Sequence, residues 1–293
     1  METTEVTLSA PAKVNLFLKI LGKRDDGYHE IYSLFQPISL SDEITIRVKI
    51  NKGGVRLTTD SPALPTGEAN IALRAARLFL SEAGLEGGSV EIDIKKRIPI
   101  GAGLGGGSTD AAAVLMGLNA LFNAPFDEDA LMKLGAELGS DVPFFMLKGP
   151  AIARGRGEVL ERVTLPKFGY VLINPGYEVS TAWAYSALDS PRLDLTKPPK
   201  NINFMYSAEP QSRLEETVNL LANDLEAVTA RKHPEIDLYK RELLNAGARG
   251  ALMSGSGPTV FGLFDDVSSA RPAYGLIKKR VKTPASVFLA TGL

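Results

Sequence analysis

Cysteine is absent from the chain, and histidine occurs only twice, at His29 and His233. Disulfides, thiolate catalysis and cysteine-ligated zinc are therefore excluded, and so is a histidine-rich metal centre. No apolar run approaches the roughly 20 residues that a bilayer span needs. Neither sign of charge dominates, since 33 Lys and Arg stand against 34 Asp and Glu. That balance argues against a general binder of nucleic acid or of membrane surfaces and leaves only a local basic patch open. The first residues, METTEVTLSAPAKVNL, carry acids and no apolar block, so we expect neither a secretory nor a transit leader and a soluble, cytoplasmic protein. Internal repeats and low-complexity tracts are also missing.

What is present is enough to build a sizeable core. Hydrophobic residues make up 44% of the 293 positions and charged residues 23%, which suits about two domains. Period-two alternation predicts strands at Val6–Leu8, Lys13–Leu21, Leu40–Ile50, Val55–Thr58 and Val90–Ile94, with a turn-rich stretch, GKRDDGYHEI, between the second and third. Helical spacing predicts Asn70–Ala83, a helix capped by Ser108 or Thr109, and Asp127–Leu138. Phe144–Leu147 and Ile152–Arg154 read as strands. Beyond Gly157 the pattern restarts. Strands are expected at Tyr170–Ile173, Ala251–Met253, Val260–Phe264 and Ser286–Leu289, and helices at Thr181–Leu188, Leu214–Thr229, Glu235–Ala246 and Ser268–Lys279. Ser190–Gln211, with four prolines, reads as a surface loop. Strands and helices mix without strict βα repetition, so the expectation is α+β in two domains, 1–160 and 161–293.

The segment PIGAGLGGGSTDAAAV stands apart, with five glycines between Gly101 and Gly107 followed by an Ala-rich helix. A strand enters it and a helix N-terminus leaves it. Glycines let backbone N–H groups turn into one concave space, and the helix start adds free donors and a positive dipole end. Together they suit a phosphate. Gly101, Gly103 and Gly106 satisfy G-x-G-x-x-G, but Asp127, about 20 residues on, opens a second helix instead of ending a strand. No Lys precedes Ser108, so the Walker A pattern fails as well. Ser108 either caps the helix or gives an oxygen to magnesium, and both roles can hold together.

These segments resemble the GHMP kinases. PIGAGLGGGSTDAAA is similar to their central motif, PAKVNLFLKI to their N-terminal motif and MSGSGPTVFGLF to their C-terminal glycine motif. The set AKVNLFLKILGKRDDGYHEI, GSDVPFF, ARGRGEVL, NDLE and MSGSGPTVFG resembles one branch, which phosphorylates the 2-hydroxyl of a cytidine-diphosphate-linked methylerythritol for non-mevalonate isoprenoid synthesis. The resemblance runs from about Ala10 to Phe264. It implies a two-lobed α+β GHMP kinase fold, with an N-terminal lobe like domain 2 of ribosomal protein S5 and a ferredoxin-like C-terminal lobe. One departure is Ala222, where that branch often carries a basic residue.

The resemblance also implies site residues. ATP with Mg²⁺ falls to Pro99, Gly101, Ala102, Gly103, Leu104, Gly105, Gly106, Gly107, Ser108 and Thr109, with Lys96 and Asn70 near the nucleotide. On residues alone, Lys96 reads equally well as a solvated strand charge. The catalytic aspartate and lysine fall on Asp141 and Lys13. Without the resemblance, Asp141 reads as a turn or cap residue and Lys13 as an outward, solvated one. Asn15 shares a strand face with Lys13 and suits the acceptor polyol. Tyr28 and His29 hold the cytosine in that branch, with Tyr185 on the second side of the stack and Thr181 near the substrate phosphates; Tyr185 also fits a packed helix face. SGSGPT either shapes the site or is an ordinary hairpin turn. The competing readings are another kinase of the superfamily, acting on homoserine, mevalonate or a sugar, and a nucleotide-binding protein without catalysis. Gly27-Tyr28-His29 favours the cytidylyl-methylerythritol branch over both, because a small acceptor needs no base-stacking aromatic. Oligomeric state is not readable from the sequence.

Overall fold

The computed structural model describes residues 3–49, 53–85, 89–188 and 210–293. It is α+β and divides into two compact units, neither of them continuous in sequence. The first comprises Met1–Ala12, Ser41–Ile100 and Gly105–Lys148, and the second Lys13–Leu40, Gly101–Leu104 and Gly149–Leu293.

In the first unit, β4 (Ser89–Lys95) lies between β3 (Gly54–Thr59), parallel to it, and the later part of β2 (His29–Lys49), antiparallel to it from Glu43↔Lys95 to Lys49↔Ser89. Ile44, Ile46 and Val48 of β2 are buried, as are Val90, Ile92 and Ile94 of β4. Four helices complete the unit: α1 (Ile71–Glu82), α2 (Gly106–Leu121), α3 (Glu128–Leu138) and α4 (Val142–Met146). α1 buries Leu73, Ala76, Phe79 and Leu80, a stripe at helical spacing. α2 is apolar on nearly every side, with Ala111 to Leu115 all buried. Its small residues permit close approach. A Cβ at Gly117 would lie 2.5 Å from Ile46 Cδ1 and 2.9 Å from Leu8 Cδ1, so both side-chain ends would have to shift to admit one.

In the second unit, β1 (Thr3–Lys23) pairs in parallel with the two-residue β8 (Ala222–Asn223), Phe17 opposite Ala222. The early part of β2 pairs antiparallel with β5 (Ala151–Gly155), and β5 with β6 (Val159–Arg162). A separate four-stranded antiparallel sheet runs β11 (Ser286–Thr291), β7 (Gly169–Asn174), β10 (Val260–Phe264), β9 (Gly250–Met253). Its central strands β7 and β10 are wholly buried. The helices of this unit are α5 (Thr181–Leu188), α6 (Pro210–Leu220), α7 (Glu226–Lys232), α8 (Glu235–Asn245) and α9 (Val267–Arg280), and α8 and α9 pack on the second sheet.

Several sequence expectations need correction. Val6–Leu8 and Lys13–Leu21 are one strand that passes through Pro11. β2 begins at His29, not Leu40; nearly every residue from Ile31 to Ile38 is at least half-buried, so no alternation marks it. Phe144–Leu147 is not a strand. It lies in α4 and just past it, where Pro143 fits the first turn and every side chain of the helix is buried, leaving no period to read. Leu214–Thr229 is not a single helix, because Asn223 and Asp224 leave the helical path to bond elsewhere. Of Ser190–Gln211, positions 190–209 lie outside the described residues, and Pro210 and Gln211 open α6. No helix among the described residues is long and apolar enough to cross a membrane.

Candidate active site

The glycine segment begins with four carbonyls that are all committed. Gly101 O accepts from Val179 N (3.1 Å), Ala102 O from Thr259 N (3.4 Å), Gly103 O from Ser254 Oγ (2.9 Å) and Leu104 O from Lys13 N (2.9 Å). Four successive acceptors are thus consumed within the second unit, to which Gly101–Leu104 belong. Gly103 has φ +76°, and a Cβ there would sit 2.1 Å from the Ser254 carbonyl oxygen. This is a backbone-on-backbone contact that no side chain survives.

Gly105 then opens α2 in a left-handed conformation, φ 72° and ψ 18°, with no side-chain cap. The expected cap at Ser108 or Thr109 is therefore corrected: the left-handed glycine starts the helix three residues earlier, and Ser108 lies within the first turn. The leading amides of α2 have no intrahelical acceptor and no capping side chain, which leaves them to a ligand. Thr109 Oγ1 is buried without a partner.

Beneath this helix start lies a charge cluster that sequence reasoning missed. Lys96 is no solvated strand charge. Its side chain is buried and its Nζ donates to Asp42 Oδ2 (2.5 Å) and Asp110 Oδ2 (2.8 Å). Asp42 Oδ1 also accepts from Arg97 N (2.5 Å) and Ile98 N (2.9 Å). A Cβ at Gly106 would come within 3.1 Å of the Lys96 ammonium, so the lysine supports the loop from below. Two carboxylates share one cation, and burial pushes the Asp110 carboxyl up to about 7; Lys96 pulls it the other way and Asp42 adds to the rise. Asp42, a strand aspartate in SDEITI, carries no sequence signal that separates it from a surface charge. Asn70 is committed too. It caps α1, with Oδ1 accepting from Ala72 N (2.9 Å) and Nδ2 donating to Pro65 O (2.7 Å).

Lys13 and Asn15 share a face of β1 and are both buried. Lys13 Nζ donates to Asn15 Oδ1 (2.6 Å) and lies 4.7 Å from the Phe35 ring centre. Asn15 Nδ2 donates to Ser33 Oγ (2.9 Å). A buried, oriented lysine replaces the outward one that the strand context alone suggests. Asp141 directly precedes α4 and makes no capping hydrogen bond to it; it lies in the turn between α3 and α4, closed by Val142 N donating to Gly139 O (3.1 Å), so of the turn and cap readings the turn holds.

Tyr28 lies in the turn before β2 and is 53% exposed, whereas His29 is buried. Tyr185 of α5 stacks on His29, ring centres 5.1 Å apart and planes 29° from parallel. An inserted base needs about 7 Å for two layers of contact, so the space between these two rings is filled by their own stacking. Thr181 and Ser256 hydroxyls are 3.0 Å apart. SGSGPT is a hairpin turn between β9 and β10 and also, through Ser254, an anchor of the glycine loop. Asn223 of the NDLE motif fixes that turn, donating from Nδ2 to Met253 O and Gly255 O, both at 2.8 Å.

Residues 70–149 match the family model for the GHMP kinases N terminal domain, and residues 208–279 the model for GHMP kinases C terminal. A protein of Geobacter sp. (strain M21) that bears the name 4-diphosphocytidyl-2-C-methyl-D-erythritol kinase is 49% identical over 94% of this chain and 95% of its own. The protein of that name from Syntrophotalea carbinolica is 48% identical over 90% and 91%. The chain belongs to the 4-diphosphocytidyl-2-C-methyl-D-erythritol kinase family. A crystal structure of a 4-(cytidine 5'-diphospho)-2C-methyl-D-erythritol kinase matches it with a TM-score of 0.80 at 38% identity, covering 98% of this chain and 99% of that one. The homoserine kinase of Cytophaga hutchinsonii matches with a TM-score of 0.74 at 21% identity, covering 100% and 95%. That likeness is of fold, the two-domain α+β fold of the GHMP kinases. The motifs that carried the resemblance include the residues of the glycine loop, its Ser254 anchor and the buried Lys13–Asn15 pair.

Proposed function

We infer that the chain is an ATP-dependent kinase that transfers the γ-phosphate to the 2-hydroxyl of 4-diphosphocytidyl-2-C-methyl-D-erythritol, in the non-mevalonate route to isoprenoids. The observation that carries the reading is the start of α2, opened by a left-handed glycine with no side chain on its first amides. Phosphates of ATP lie against these amides and against the amide edge of Pro99 to Thr109, where main-chain donors and the helix dipole meet their charge. Lys96 acts from beneath as support and Asn70 as the cap that fixes the start of α1.

Magnesium fits this site as a phosphate-borne ion. Among the described residues no cluster of three or more acids or histidines could hold a metal, and magnesium in kinases takes only one or two protein ligands beside phosphate oxygens and water. Ser108, in the first turn of α2, offers one such oxygen. When bound, the ion neutralises phosphate charge. Asp141 aligns the acceptor hydroxyl or takes its proton. Lys13, held by Asn15, supplies positive charge for the alkoxide or the transferring phosphoryl group. Asn15 holds the polyol. Tyr28, His29 and Tyr185 form the cytosine site, with Thr181 near the diphosphate. Domains 1–160 and 161–293 belong to the same proposal, as do a cytoplasmic location and the lack of a nucleic-acid or membrane partner.

The test is a panel of alcohols (the cytidylyl alcohol, homoserine, mevalonate and galactose) offered with ATP and magnesium while ADP release is followed. Only the first is expected to turn over well. Asp141→Asn should lower kcat about 100-fold or more while calorimetric affinities for ATP and the cytidylyl alcohol stay within about threefold. Turnover at the wild-type rate would end the role given to Asp141, and a preferred acceptor other than the cytidylyl alcohol would end the substrate assignment.

A further inference from the structure

The turn between β5 and β6, Gly155-Arg156-Gly157-Glu158, has no part in the function so far, yet it is built around one side chain. Arg156 places its guanidinium carbon 4.8 Å from the centre of the Tyr28 ring. Glu158 holds it there: Oε2 accepts from Arg156 N (2.6 Å) and Oε1 lies 3.7 Å from Nε. Gly155 bends left-handed at φ +71° beneath the Glu158 carboxylate, and its amide donates to Glu30 Oε1 (3.1 Å). Glu30 in turn receives Arg24 Nη1 (2.7 Å), and Arg24 N donates to Tyr28 O (2.8 Å). Asp26 Oδ1 accepts from Tyr28 N (3.1 Å). The two turns, 24–30 and 155–158, are thus tied together with Tyr28 at their junction.

One face of the Tyr28 ring carries the guanidinium, yet the residue remains 53% exposed. We propose that Arg156 is a positioning residue for pyrimidine recognition: it backs the Tyr28 ring on one side and so fixes the plane on which the cytosine stacks on the other. This rests on the reading of Tyr28 as part of the cytosine site. A guanidinium layered on an aromatic ring is favourable even when exposed, and a ring already fixed loses less freedom when the base arrives. The arrangement also gives ARGRGEVL a task, since Arg156 aims at Tyr28, Glu158 aims Arg156 and Gly155 permits the bend.

The test compares Arg156→Met with the wild-type protein. It should raise KM for the cytidylyl alcohol, and weaken cytidine diphosphate binding by calorimetry, about three- to tenfold, with KM for ATP unmoved. Arg156→Lys, which keeps the cation and loses the plane, should fall between. The decisive measurement is Arg156→Met in a Tyr28→Ala background, where a residue that acts through Tyr28 has no further effect. An undiminished effect there, or normal cytidine diphosphate binding by Arg156→Met alone, overturns the proposal and leaves the cytosine site standing. If the wild-type protein itself binds no cytidine diphosphate, the cytosine reading falls and this inference falls with it. A lowered Tm with both KM values raised would show a merely structural arginine and overturn it too.

Discussion

The chain has two glycine turns, and they use glycine for opposite ends. Around SGSGPT the polar groups are consumed by the protein itself. Met253 O and Gly255 O accept from Asn223, Ser254 O accepts from Gly257 N, and Ser256 O accepts from Thr229 Oγ1. Ser254, Ser256 and Thr259 are buried. Between Gly101 and Gly107 the carbonyls are likewise committed, but the exposed end, Gly107 at the first turn of α2, has no side-chain cap over it. The first turn is closed by the protein's own groups, whereas at the second the start of α2 carries no side-chain cap. A glycine-rich stretch is therefore not informative by its composition. What separates packing from binding is whether the donors are already spoken for.

Gly103→Ala should break this comparison hardest, because Gly103 sits in the loop proposed to bind phosphate but is held like a packing glycine. Its left-handed φ and the 2.1 Å approach to Ser254 O leave no room for a methyl group. We expect a loss of about 3 kcal/mol, read as a fall in Tm of about 6–12 °C. A stability within 1 °C of the wild type would mean that the anchoring of the loop on Ser254 is wrong. Asn223→Ala comes next. It strands two carbonyls and the Leu225 amide that bonds Asn223 Oδ1 (3.0 Å), at about 2–3 kcal/mol. Asn223→Asp keeps only the acceptor and should recover little of that loss in a denaturant titration.

Much of this was legible in the sequence, for identifiable reasons. Strands with one buried face, such as β4, and helices with one stripe, such as α1, announce themselves by period. Segments buried on all sides do not, which is why β2 begins eleven residues earlier than alternation suggests and why α4 passes for a strand. The glycine loop was readable because a helix follows it directly, which a flexible Gly-rich linker would lack. The Asp42–Lys96–Asp110 cluster was not, because its members lie 54 and 14 residues apart along the chain. Their burial exists only after folding, and a charged residue in a strand carries the same letter whether buried or exposed. Arg156 was hidden in the same way inside a motif whose family likeness could be seen but whose geometry could not.

Gly107→Ala should have the smallest effect on stability and the sharpest meaning. The position is exposed and helical, and a Cβ there meets nothing closer than Ile71 Cγ2 at 3.4 Å. If glycine served only the fold, alanine would be an improvement, since a helical Gly→Ala change gains about 0.8–1 kcal/mol. Tm should accordingly rise by about 2–4 °C. If glycine serves phosphate approach, the same methyl group obstructs it, and KM for ATP should rise about tenfold, roughly 1.4 kcal/mol of lost binding. The two effects have opposite signs on two readouts, so neither can be mistaken for the other. Adenosine, which has no phosphate, should bind the variant as it binds the wild type. A variant that is more stable and binds ATP normally would place Gly107 with the glycines of SGSGPT, and the anion would have to lie elsewhere along the loop.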